Sequence, residues 1–180
     1  MEPSLNLSDH NQVKTLVVGL GNPILGDDGI GWQIAQELQK TQGIPSNVTI
    51  ECLALGGISL MEALIGYDRA ILIDAIITHQ APVGSVSCYK LEDLPNLTSG
   101  HMTSAHDTSL VNALQMGLSL GAQLPEVISV VTVESQKIYE FSDEMSPAVA
   151  AAVPQALRII QDLLIESGAE EAPNIDQSIN

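Results

Sequence analysis

The stretch "TLVVGLGNPILGDDGIGW", residues 15–32, decides how the rest of the chain is read. Its first seven residues form a continuous apolar run ending in glycines, the pattern of a strand buried on both faces of a parallel sheet. Ile30, Ile34 and Leu38 then recur at helical spacing, with Trp32 and Ala35 beside them, which predicts a helix over about 28–41. Strand, glycine turn and helix together open an α/β unit.

The same alternation continues outward. "NVTIECLAL" (47–55) reads as a second strand and "GGISLMEALIG" (56–66) as a turn with a short helix. "AILIDAI" (70–76) is a third buried strand. "SVSCYKL" (85–91) alternates, which suits an antiparallel edge strand. A loop leads into a helix over 103–121, opened by a capping box from Ser104 to Asp107. "EVISVVTVE" (126–134) is another buried strand. Ser146-Pro147 starts the last helix. Its stripe is Val149, Val153, Leu157, Ile160 and Leu164, and Pro154 is expected to kink it. The expected fold is α/β: a three-layer sandwich, a mostly parallel twisted sheet with helices on both faces and one antiparallel edge strand. Residues 14–165 make one domain, between a flexible N-terminal tail (1–13) and a flexible acidic C-terminal tail (166–180).

Composition narrows the function classes. The chain has 180 residues, 45% of them apolar, and one Trp, three Tyr and one Phe, so its core rests on aliphatic side chains. The formal charge of −16 leaves no basic stripe for nucleic acid and favours cations or basic partners. The N-terminus "MEPSLNLSDHNQ" lacks the pattern of a signal peptide, and no apolar stretch is read as approaching a membrane span. Cys52 and Cys88 form no CxxC and read as two buried free thiols. A cytoplasmic location is expected.

The opening stretch departs from the phosphate-binding motifs it suggests. Gly19, Gly21 and Gly26 are spaced GxGxxxxG, not GxGxxG. In the P-loop register, Asp27-Asp28 replaces Lys-Ser, and two carboxylates at a helix start repel phosphate. "VVGLGNP" resembles the start of peptidyl-tRNA hydrolases, but "ILGDDGIG" follows where that family carries its catalytic histidine.

Three polar residues stand where a parallel sheet exposes its functional edge. Asp28 follows the first strand, Asp74 ends the third and His106 opens a helix. Asp27 or Asp28 is expected to cap the first helix, leaving the other carboxylate free. Asp74, ending a buried strand, needs a partner, either a hydrogen-bonded loop or a cation. His106 reads either as a cap-adjacent histidine or as a neutral imidazole able to bind metal, since a helix N-terminus disfavours imidazolium. Two carboxylates and an imidazole suit nickel or zinc with coordination positions left open, and metal-assisted hydrolysis is the enzymatic reading.

Taken together, "GLGNPILGDDGIG", "GGISLMEAL", "LIDAI", "SAHDTSL" and "SPAVAAAVPQAL" resemble the maturation endopeptidases of nickel–iron hydrogenases over about 15–165. The resemblance implies a monomeric enzyme that clips the C-terminal extension from the hydrogenase large-subunit precursor after nickel insertion, with no nucleic acid or membrane partner. It carries metal-contacting and catalytic roles onto Asp28, Asp74 and His106. The nickel is expected to come with the substrate, with zinc or cadmium as stand-ins in vitro. Leu55 departs from the acid common in the family before the glycine pair, and Glu134 aligns roughly with a family acid but reads as a loop brace. The alternatives are a non-catalytic metal-binding or assembly module for the hydrogenase subunit and a peptidyl-tRNA hydrolase-like esterase.

Overall fold

A computed structural model describes residues 12–94, 104–136, 141–142 and 144–169. In chain order the elements are β1 (Thr15–Leu20), a 3-10 turn (Gly26–Gly29), α1 (Ile30–Gln39), β2 (Val48–Leu53), α2 (Gly57–Ala63) and β3 (Arg69–Ile76). Then follow β4 (Val86–Lys90), a second 3-10 turn (Leu91–Asp93), α3 (Ser104–Ser119), β5 (Val127–Glu134), α4 (Pro147–Ala150) and α5 (Val153–Ala169). The strands form one sheet in the order β2-β1-β3-β5-β4. All neighbours are parallel except β4, which runs antiparallel to β5 at the edge, as its alternating sequence predicts.

Side-chain alternation along the strands divides the core into two layers. Leu16, Val18, Ala70, Leu72 and Val130 pack with Leu60 of α2, Leu64 just after it, and Leu110 and Ala113 of α3. Val17, Ile71, Ile73, Val131 and Val133 pack with Ile34, Leu38, Val153 and Ile160 from α1 and α5. Each fully buried Leu, Ile or Val contributes roughly 1.5–3 kcal/mol relative to an exposed one, so a sheet covered on both faces is held chiefly by these aliphatic layers. The sandwich expected from sequence is therefore the one observed.

The last helix differs from expectation in detail. Pro154 does not kink a continuous helix; the chain breaks at Ala151–Ala152, separating α4 from α5. Proline has no N–H to donate to the carbonyl four residues back, here that of Ala150, where α4 ends. The stripe still lands as expected, with Val149, Val153, Ile160 and Leu164 buried and Leu157 partly so. Contrary to the sequence reading, Pro147–Glu166 is long and apolar enough to cross a membrane. That apolarity is explained by its buried stripe, the mark of a helix facing a protein core. Of the tails expected at 1–13 and 166–180, residues 1–11 and 170–180 lie outside the described residues, and 166–169 instead continue α5.

The architecture places a crevice at one point. β1 lies between β2 and β3, so the chain leaves β1 in one direction through α1 and returns in the other through α2. Ligands of open α/β sheets bind beyond the strand C-termini where the order reverses in this way. Gly31 sets how closely α1 covers that point: a Cβ there would lie 2.3 Å from the Leu20 carbonyl oxygen and 2.4 Å from that of Ile73. Only glycine lets the helix start press directly on both strands.

Candidate active site

The loop after β1 closes on itself through Asp28. The backbone N–H of Asn22 donates to Asp28 Oδ2 at 2.7 Å. Gly21 has φ +115°, and a Cβ there would fall 1.9 Å from the Asp28 carbonyl oxygen. The glycines of the opening stretch therefore let this loop fold back tightly, with a half-buried carboxylate at its end.

Neither aspartate caps α1, which corrects the expectation. The residue before α1 is Gly29, with no side-chain cap, because the Gly26–Gly29 turn intervenes. Asp27 instead turns inward and is fully buried. Its Oδ1 accepts from the Ser146 N–H at 2.7 Å, and the Ser146 hydroxyl lies 2.7 Å from both carboxylate oxygens. Charge-assisted bonds of this kind compensate the desolvation of a buried carboxylate. Ser146 is the N-cap residue of α4, and its hydroxyl makes no cap bond there.

Asp74 lies on β3, paired in register with Thr132 of β5. It is half-buried, and its Oδ1 accepts from the Ala75 N–H at 2.8 Å. Strand alternation sets it on the face covered by α2 and α3. The Gly26–Gly29 turn packs on β3, and three residues beyond Asp28 the chain presses on the carbonyl of Ile73, the residue before Asp74. Asp28 thus follows β1, and Asp74 lies near the C-terminal end of β3, its neighbour in the sheet.

His106 is in the first turn of α3. The helix ends at Ser119 before the turn into the start of β5, so its first turn lies toward the strand C-termini, on the same sheet face as Asp74. The side chains of His106 and of the Ser104–Asp107 capping box lie outside the described residues. Among the described residues no group of three His, Cys, Asp or Glu side chains gathers as a metal site.

Glu134 braces a loop, as its position suggested. It is 4% exposed. Its Oε1 accepts from the N–H groups of Thr78 and His79 at 2.8 and 2.9 Å, and the Thr78 hydroxyl donates to Oε2 at 2.7 Å. These bonds hold His79 at φ +57°, a conformation that costs a non-glycine residue energy. The brace shapes a polar cleft of about 220 Å³ lined by Thr78, Ser85, Ser87, Tyr89, Thr132 and Glu134, beside Asp74 through its Thr132 partner. The sequence does not reveal this cleft, because its hydroxyls come from β4, from β5 and from the segment between β3 and β4.

The cysteines correct another expectation: both are free, but Cys52 is only half-buried and Cys88 is exposed on the edge strand. Partial burial pushes both thiols up, and Glu166 adds to the rise at Cys88. Neither is prepared as a thiolate nucleophile. Leu55 is 39% exposed in the turn between β2 and α2.

Comparison with known proteins identifies the family and the fold. The hydrogenase maturation protease family matches residues 32–163. The hydrogenase 2 maturation protease of Escherichia coli K12 is 28% identical over 161 residues, covering 89% of this chain and 96% of that protein. The structure of the E. coli hydrogenase maturating endopeptidase HybD superposes with a TM-score of 0.72 at 28% identity, covering 86% and 94% of the two chains. A nickel–iron hydrogenase maturation protease from Thermococcus kodakarensis shares the fold at a TM-score of 0.63 and 23% identity, covering 84% and 99%. The chain belongs to the hydrogenase maturation protease family.

Proposed function

We propose that this protein removes the C-terminal extension of a nickel–iron hydrogenase large-subunit precursor once nickel is in place, and that Asp28, Asp74 and His106 read the metal. The nickel is part of the substrate. What supports the reading is the placement of Asp28 after β1 and of Asp74 near the end of β3, the strand paired with β1, within a chain of the maturation protease family. Both carboxylates are half-buried, and each accepts a backbone N–H bond, Asp28 from Asn22 and Asp74 from Ala75, which fixes carboxylate oxygen near the strand ends. His106, in the first turn of α3, is assigned as the third donor, and two carboxylates with an imidazole make a borderline set of the kind nickel accepts.

Contact with the metal docks the adjoining peptide over the strand ends, which supplies the proximity part of the rate enhancement. Hydrolysis then adds water oxygen to the scissile carbonyl carbon. A rim carboxylate accepts the water proton, the C–N bond breaks, and the leaving amine is protonated. The hydroxyl-lined cleft beside Asp74 offers donors and acceptors to the extended chain around that bond.

Incubation with nickel-loaded and nickel-free precursor, read by mass spectrometry, tests this directly. Shortening of the loaded precursor alone is expected. Equal shortening of both removes metal recognition, and a stable complex with no shortened product supports the non-catalytic assembly role instead.

A further inference from the structure

We infer that Phe141 and Ile24 form the apolar anchor on which the large-subunit precursor seats when its scissile segment reaches Asp28; the inference rests on the protease reading above. Phe141 is the only phenylalanine in the chain, and it is 85% exposed. Ile24, from the loop after β1, is 58% exposed. The two belong to segments stitched together beside them. Ser142 N–H donates to the Ile24 carbonyl at 3.2 Å, and Gly26 N–H donates to the Ser142 carbonyl at 2.8 Å. Leu25 and Ser142 form a parallel bridge.

Four residues further on, the buried Asp27–Ser146 bonds fasten the same pair of segments. On the other side, Ile24 N–H donates to Asn22 Oδ1, and Asn22 N–H holds Asp28 Oδ2. The apolar pair and the Asp28 carboxylate are thus parts of one fastened loop. Leu55, 39% exposed in the turn after β2, and Ile58, 52% exposed at the start of α2, come from the same end of the sheet.

An exposed phenylalanine forfeits burial that a partner can restore, and clustered exposed apolar residues of this kind mark interaction sites. The occupant follows from position: Ile24 lies four residues before Asp28 in the same loop, so a protein substrate that reaches the carboxylate lies against this rim. Aromatic side chains are enriched at the centres of such interfaces, where a few anchors carry most of the binding energy. On a chain of net charge −16, an uncharged anchor also gives attraction that salt does not screen.

The test is steady-state cleavage of nickel-loaded precursor by the full-length protein. Phe141→Ala is expected to raise KM about tenfold with kcat unchanged, and Ile24→Ala about threefold. Phe141→Leu is expected to recover most of the loss. Thermal melting should not move, because both side chains are exposed. Leu120→Ala, 80% exposed in the turn between α3 and β5, is the control and should leave KM unchanged. An unchanged KM in Phe141→Ala while the wild type cleaves overturns the anchor, as does an equal rise in Leu120→Ala. A wild-type dimer that Phe141→Ala splits in sedimentation assigns the face to a second copy and likewise overturns it. Failure of the wild type to cleave any loaded precursor overturns the protease reading itself, a separate result.

Discussion

Carboxylates at the two ends of the sheet live in different surroundings. At the C-terminal ends of the parallel strands, Asp27 and Glu134 are buried and held by backbone N–H groups and hydroxyls, while Asp28 and Asp74 are half-buried and each accept a backbone N–H bond. At the opposite end, Asp68 and Glu126 are exposed, and Asp68 merely accepts the Lys14 N–H at 2.7 Å. The cavities differ in the same sense. The 220 Å³ cleft at the first end is lined with hydroxyls, whereas the 290 Å³ groove at the other is lined largely by Leu114, Leu118, Val111 and Val127. Anionic groups cost free energy to bury, so their concentration at one end marks where the fold invests stability in chemistry.

The largest expected effect is at the half-buried pair. Asp74→Asn is predicted to slow precursor shortening by about 100-fold or more while leaving the melting temperature near that of the wild type. Mass spectrometry and thermal melting check the two halves of that statement, and full activity would remove Asp74 from the site. Gly31→Ala comes next. Its methyl meets two backbone carbonyls that cannot move aside, so a loss of about 1–3 kcal/mol is expected in urea unfolding, with activity falling as the Asp28 loop shifts.

Glu134→Ala strands the N–H groups of Thr78 and His79 and should cost roughly 1–3 kcal/mol. Because His79 is then free to leave its left-handed conformation, processing should fall as well, a partial loss read in the same cleavage assay. The smallest effect belongs to the other end: Asp68→Asn should change stability by no more than about 0.5 kcal/mol and processing not at all. A larger effect there than at Glu134 would erase the distinction between the two ends.

Periodicity made the scaffold legible. The apolar runs of β1, β3 and β5, the alternation of β4 and the stripe of the last helix each depend on local spacing, and each was found where the sequence placed it. The placement of Asp28 after β1 and of Asp74 near the end of β3 was legible because both follow from the apolar runs of the strands. Asp27 was not, since its partner Ser146 is 119 residues away and nothing local distinguishes it from a helix cap. The cysteines misled for a related reason: an apolar neighbourhood in sequence does not say which face of an edge strand a side chain takes. Phe141 sits in a polar segment with no repeat to orient it, so its exposure became visible only in three dimensions.

The bonds between Asp27 and Ser146 also order events in time. The loop that carries Asp28 is made early during synthesis, yet its fastening waits for a serine translated more than a hundred residues later. A nascent chain that lacks α4 therefore cannot fasten the loop after β1, which is set only once Ser146 has been made.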